Sequence, residues 1–290
     1  MRIAPLLCAV AVLVGCSESS LTDTTPAEAR GGGKLAVGET VAVGNGTATA
    51  FATVLPTGRP TTIGVELTAA AMDGLPTTFS DCGITYDLDG DGTIDPMTEC
   101  RVGHEYMIDF PDQDDVPFQY VMLNFNPLGH GPPGIYEAPH FDIHFYIQDM
   151  AEVMAIRPGE CPIFTNCDDF ATATIPVPEP YVAPGYADLG AVEPGMGNHL
   201  INTSAPEITG EEAFSRTFIY GAYDGAITFY EPMITREYLL AKVKNCDPIA
   251  QPEAWAEAGW YPTTYCTDYK QGSHRITLED FVYRETEVLS

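Results

Sequence analysis

Basic residues are scarce in this chain: 13 Lys and Arg stand against 41 Asp and Glu, a formal charge of −28 over 290 residues. So acidic a surface repels phosphate, which argues against nucleic acid or anionic lipid headgroups as partners. A long apolar run is also missing, since the one candidate, Ile3 to Val14, is too short to span a bilayer and remain as an anchor. There is no internal repeat. No nucleophile elbow, Walker loop, dinucleotide fingerprint or paired-carboxylate motif names a reaction. The excess of acid fits cation affinity or a saline habitat, and composition does not separate the two.

What is present begins with an export signature. Arg2 precedes the apolar run, which ends in Leu13-Val14-Gly15-Cys16, a small residue before cysteine as in a bacterial lipobox. Residues 1–16 are expected to act as a lipoprotein signal peptide, with Cys16 lipidated and the membrane reached only through that lipid. Ser17 in place of Asp favours the outer membrane or cell surface as the place in the envelope. Residues 17–34, rich in Ser, Thr, Glu and Gly, have no apolar periodicity and read as a flexible tether. A single β-rich domain is expected over 35–290. Six cysteines remain for it, and an even number in an exported chain implies disulfides. Neighbour pairing would join Cys82 to Cys100, Cys161 to Cys167 and Cys246 to Cys266, one of fifteen possible connectivities.

Alternating, β-rich stretches recur at Gly46 to Leu55, Thr62 to Ala71, Glu105 to Phe110, Phe118 to Phe125, His140 to Gln148, Arg216 to Ala222, Ala226 to Glu231 and Arg275 to Tyr283. Asp224-Gly225 between two aromatic strands predicts a tight hairpin. Helix is expected only at Ile234 to Val243 and at Pro252 to Ala258. The pattern predicts a mainly β fold, an antiparallel β-sandwich with long loops and one or two short helices.

The densest gathering of potential metal ligands lies between Asn124 and Tyr146, which holds three of the six histidines. Alternate side chains of a strand share a face, so His140, Asp142 and His144 project to one side and Phe141, Ile143 and Phe145 to the other. Imidazole and carboxylate together suit zinc, copper, iron or manganese. At about 3.3 Å per residue, His140 and His144 stand roughly 13 Å apart along a regular strand, too far to share one ion. A pair is expected instead, His140 with Asp142 or Asp142 with His144, completed from elsewhere, with the other histidine in a supporting role. His130, across the Gly/Pro-rich turn, could return beside His140. His199, in the glycine-rich Pro194-Gly195-Met196-Gly197-Asn198-His199, and Glu231, ending an aromatic strand, are the best outside ligands for the Asp142/His144 end. A polar network locking the turn to the strand is the alternative for all of them. His104 and His274, near strand starts, read as capping or surface residues.

Between Cys82 and Cys100, an insertion at about 82–100, Asp87, Asp89, Asp91, Thr93 and Asp95 follow the spacing of a calcium loop, with Gly92 at the sharp turn. The bidentate glutamate is displaced by one residue to Glu99. This predicts an isolated structural calcium loop, set against an acidic surface turn.

Taken together, Asn126 to Tyr136, Pro139 to Tyr146, Gly195 to His199 and Phe218 to Met233 resemble an uncharacterised bacterial envelope domain family. That family is typified by a Thermus protein regulated by an extracytoplasmic sigma and anti-sigma factor pair. The resemblance covers about Gly46 to Glu285 and implies an envelope-associated, mostly β domain, but carries no reaction with it. The calcium-like loop and its cysteines lie outside what it implies.

Three functions follow. The first is a lipid-anchored envelope protein that binds zinc or copper for structure, buffering or delivery, beside structural calcium. The second is a metal-dependent hydrolase or oxidoreductase of the envelope, with an open coordination position. The third is a structural or stress module whose histidines only hydrogen-bond. Oligomeric state is left open.

Overall fold

Period-two alternation builds nearly half of the described chain into strands. The structure is a computed structural model and describes residues 33–78, 91–93, 104–156 and 167–287. In chain order its strands begin with β1 (Lys34–Val43), β2 (Gly46–Val54), β3 (Pro60–Thr68), β4 (His104–Asp109) and β5 (Tyr120–Asn126). Then come β6 (His140–Tyr146), β7 (Tyr186–Glu193), β8 (Gly197–Asn202), β9 (Arg216–Tyr223) and β10 (Ala226–Thr235). Last are β11 (Asn245–Pro248), β12 (Gly259–Tyr261), β13 (Thr264–Lys270), β14 (Ser273–Glu279) and β15 (Val282–Arg284). One sheet has the order β1-β2-β3-β14-β13-β11, a second the order β4-β5-β6-β10-β9-β8-β7, and β12 pairs with β15.

Every pairing is antiparallel. The inward faces meet in one core, where Ile63, Val65, Leu67, Ile276 and Leu278 of the first sheet pack with Val121, Leu123, Phe125, Phe141, Ile143 and Phe145 of the second. Phe141, Ile143 and Phe145 are fully buried, each worth about 1.5–3 kcal/mol of transfer free energy. The fold is a mainly β antiparallel sandwich, in the class the alternation predicts. β5 and β6 are buried along their whole length, and β9 and β10 along most of theirs: one face meets the core, and loops and neighbouring side chains cover the other.

The hairpin at Asp224-Gly225 forms, with Tyr223 and Ala226 paired and both turn residues at positive φ. Helix is shorter than predicted. β10 continues through Thr235 because Met233 and Ile234 are buried on opposite faces of a central strand, so only Arg236–Leu240 turns helical, with the Thr235 hydroxyl accepting from the Tyr238 N–H. Pro252 to Ala258 is not helical. Its backbone is taken up by remote partners, Ala254 N–H donating to the Pro180 carbonyl and the Trp255 carbonyl accepting from Glu287. The stretch predicted at Thr62 to Ala71 ends as a strand at Thr68 and closes in a 3-10 turn, Ala69–Met72. The stretch Arg275 to Tyr283 divides at Asp280, whose φ of 55° breaks the strand.

Cys246 and Cys266 face each other across β11 and β13 and are disulfide-bonded. Cys82, Cys100 and Cys161 lie outside the described residues, and with them the bonds expected to Cys100 and Cys167. So do the signal segment, Cys16 and most of the tether. No helix of the described residues is long and apolar enough to cross a membrane, which says nothing of strands.

Candidate metal centre

On the outer face of the second sheet a set of polar side chains is buried between two apolar patches. One patch is Tyr120, Met122, Tyr146, Val153, Met196 and Phe229; the other is Tyr136, Ile201, Phe214, Ile219 and Met233. The polar groups are Asn124, Asn126, His140, Asp142, His144, His199 and Glu231, all within 8 % of full burial. They divide into two groups of the same composition, two histidines and one carboxylate.

The first group is His130, His140 and Asp142. Asn126 and His140 are register partners in the β5–β6 hairpin, and Asn124 faces Asp142. The loop between these strands brings His130 back over them, its N–H donating to the Tyr136 carbonyl. Gly129 makes that return possible: its φ is +70°, and a Cβ there would stand 2.2 Å from the Tyr136 carbonyl oxygen. His130 Nε2 then lies 3.3 Å from Asp142 Oδ2, and His140 Nε2 3.1 Å from Oδ1. The Asn126 amide donates to Oδ2 at 2.6 Å and to His140 Nε2 at 3.4 Å.

The second group is His144, His199 and Glu231. The β6–β10 register, Tyr230 with Phe145 and Met233 with Asp142, sets Glu231 opposite His144. His144 Nε2 is 3.4 Å from Glu231 Oε1, and His199 Nε2 is 3.7 Å from Oε2. Gly221 stands opposite His199 on one side and Phe229 on the other. A Cβ there would come within 2.0 Å of the Phe229 ring, which packs against both histidines at centroid distances of 5.0 and 5.1 Å.

One feature is common to all four histidines: each donates its Nδ1 hydrogen to a backbone carbonyl. The acceptors are Gly131 at 2.7 Å for His130, Ala138 at 2.6 Å for His140, Met122 at 3.2 Å for His144 and Ala191 at 3.0 Å for His199. A carbonyl only accepts, so Nδ1 carries the hydrogen and the neutral ring presents its lone pair at Nε2. In each group, therefore, two Nε2 atoms and a carboxylate converge, acceptor upon acceptor. Such an arrangement is favourable only with a cation among them, a proton or a metal ion. Ligands at about 2.0–2.1 Å around a tetrahedral ion stand about 3.3 Å from one another. The Nε2-to-oxygen separations of 3.1–3.7 Å bracket that edge.

The electrostatics of the groups differ. Burial would raise the Asp142 carboxyl, but His140 and His130, by charge and hydrogen bond, hold it well below the usual carboxylate range. Burial would lower His130, yet Asp142 raises it to about 9. That pair stores a proton where an ion could sit. In the second group burial dominates: Glu231 is pushed well above its usual range, with Asp142 and Glu193 adding to the rise, and His199 falls to about 4. Glu231 Oε2 is buried with no hydrogen-bond partner among the described residues.

Several expectations change. Asp142 serves His140 and His130 and does not serve His144, because Glu231 from the next strand already occupies the place beside His144. Neither His140 nor His144 is left in a supporting role. His199 is not on a loop but on β8, whose Gly197 lies close against Ala222 and Tyr223. His104 and His274 are buried, not surface residues; His104 Nε2 meets the Thr78 carbonyl, and the His274 ring packs on Tyr269. Asn126 and Gly221 went unread in the sequence. The alternation Asn124-Phe125-Asn126 was the available signal for the first, and for Gly221 there was none. Of the calcium-like loop only Asp91, Gly92 and Thr93 are described, with the Thr93 N–H on Asp91 Oδ1 at 2.6 Å and Gly92 at φ +79°. Asp87, Asp89, Asp95 and Glu99 lie outside the described residues.

No family model, curated protein or solved structure matches the chain. What the centre can do is decided by its own chemistry.

Proposed function

We propose that this chain is an envelope protein, exported and held by a lipid on Cys16, whose His130, His140 and Asp142 take a transition metal ion, zinc or copper. The observation that carries this reading is the Nδ1 clamp. Fixing a ring through one nitrogen so that the other meets an ion is the usual arrangement around protein-bound metals. With both rings neutral, the Nε2 atoms of His130 and His140 would face the Asp142 carboxylate as acceptors, and the proton that His130 shares with Asp142 stands in the place an ion would take. Asn126, donating to both Asp142 and His140, orients the pair.

The test is metal analysis of the full chain after zinc or cupric loading and desalting. Stoichiometric ion that falls by one equivalent in His140→Ala supports the reading. Absence of any transition metal under all loading conditions sinks it. A second reading, a metal-dependent enzyme, is favoured by one observation: three protein ligands leave a coordination position open, and the His130 side chain is 26 % exposed. If azide alters the visible spectrum of the cupric protein, an outside molecule reaches the ion. The calcium reading of residues 87–99 stands on spacing. An unchanged melting temperature on chelation, with Asp89→Ala also silent, would remove it.

A further inference from the structure

We infer that the centre holds two ions: His144, His199 and Glu231 form a second, enclosed metal site beside the first, and the two ions exchange at different rates. The inference rests on the metal-binding reading of the first group and extends it.

The two groups cannot be alternative descriptions of one site. They share no ligand, and each has its own carboxylate and its own pair of clamped imidazoles. Along β6 the anchoring histidines, His140 and His144, are four residues and roughly 13 Å apart, beyond the reach of one ion. Across the sheet the supplies diverge as well. The first group draws on β6 and the loop between β5 and β6; the second draws on β6, β8 and β10. Yet Asp142 and His144 are neighbours on one strand face, about 6.6 Å apart at the backbone. Two ions would therefore sit in one another's field.

Glu231 points to a ligand independently of its neighbours. It is 1 % exposed, and its Oε2 atom has no hydrogen-bond partner among the described residues. A buried carboxylate oxygen with nothing donating to it is costly unless a cation completes it. The His199 ring stands 3.7 Å away on that side, with Nε2 facing it.

Enclosure separates the two sites. The second is roofed by the Phe229 ring, admitted by Gly221, with Tyr146 stacked on His144 at 5.9 Å, and its three ligands are at most 10 % exposed. At the first site His130 is 26 % exposed and lies on a loop. An ion at the first site can leave by movement of one side chain; an ion at the second requires the sheet face to open. The structure thus assigns an exchangeable ion to His130, His140 and Asp142, and a retained ion to His144, His199 and Glu231.

The experiment loads the full chain with zinc or cupric ion. Two equivalents are expected after desalting, one of them lost in His199→Asn, in Glu231→Gln and in His130→Asn. Chelator challenge should remove metal in two phases, with the fast phase absent from His130→Asn and the slow phase absent from the other two variants. In the dicupric wild type, which needs no variant, electron paramagnetic resonance should show dipolar broadening from a nearby second ion. A wild type that holds only one equivalent, undiminished in both His199→Asn and Glu231→Gln, overturns the inference and leaves the first site standing. Two equivalents that leave in a single phase overturn the division into exchangeable and retained ions. No bound metal at all removes the reading beneath it as well.

Discussion

At Glu231 burial and ion binding pull in opposite directions. Burial raises the metal-free carboxyl well above its usual range, so its contribution to stability is complete below about 4.5 and is lost as pH rises toward its raised folded value. His199 has the opposite sign. Its folded pKa of about 4 lies below the usual 6.5, so stability falls as pH drops between 6.5 and 4, by on the order of 3 kcal/mol. No pH satisfies both groups, and a bound cation does. Glu231→Gln mimics the protonated acid without its titration. Metal-free Glu231→Gln is therefore expected to melt higher than metal-free wild type at pH 7–8, by about 2–4 °C for each kcal/mol recovered. The same variant should lose metal-dependent stabilisation at the second site. Thermal melts with and without chelator check both halves, and a lower metal-free melting point would contradict the account.

At the level of elements, β6 carries the centre by presenting phenylalanine and isoleucine inward and ligands outward. That division was legible in His140-Phe141-Asp142-Ile143-His144-Phe145 because the side-chain period of a strand is two. The pairing of ligands was not. It depends on β10 lying beside β6 in the register that puts Glu231 against His144, and nothing near either residue in sequence carries that register. The same holds for Gly221, whose lack of a side chain matters only once Phe229 lies across it. Gly221→Ala is expected to cost about 1–3 kcal/mol, as overpacked sites do, and to reduce ion retention at the second site while sparing the first. Denaturant unfolding measures the first effect and chelator kinetics the second. Equal loss at both sites would mean that Phe229 does not seal one of them.

Across the whole molecule, the two sheets divide the labour. The first sheet holds the Cys246–Cys266 disulfide across β11 and β13, and the second carries the two candidate metal groups. Closing a 20-residue separation is worth about 3 kcal/mol. The Cys246→Ser, Cys266→Ser double variant should thus unfold at lower denaturant yet bind metal with unchanged stoichiometry. Loss of metal in that variant would show that the groups depend on the far sheet. For this protein the sequence alone determined the β class, the Asp224-Gly225 hairpin and the shared face of His140, Asp142 and His144, since each follows from period two and turn chemistry within a few residues. Only the tertiary structure decided that these residues serve two groups, each with its own carboxylate. Strand neighbours and their registers are set by burying the inner faces of two sheets at once, a global condition that no local segment contains.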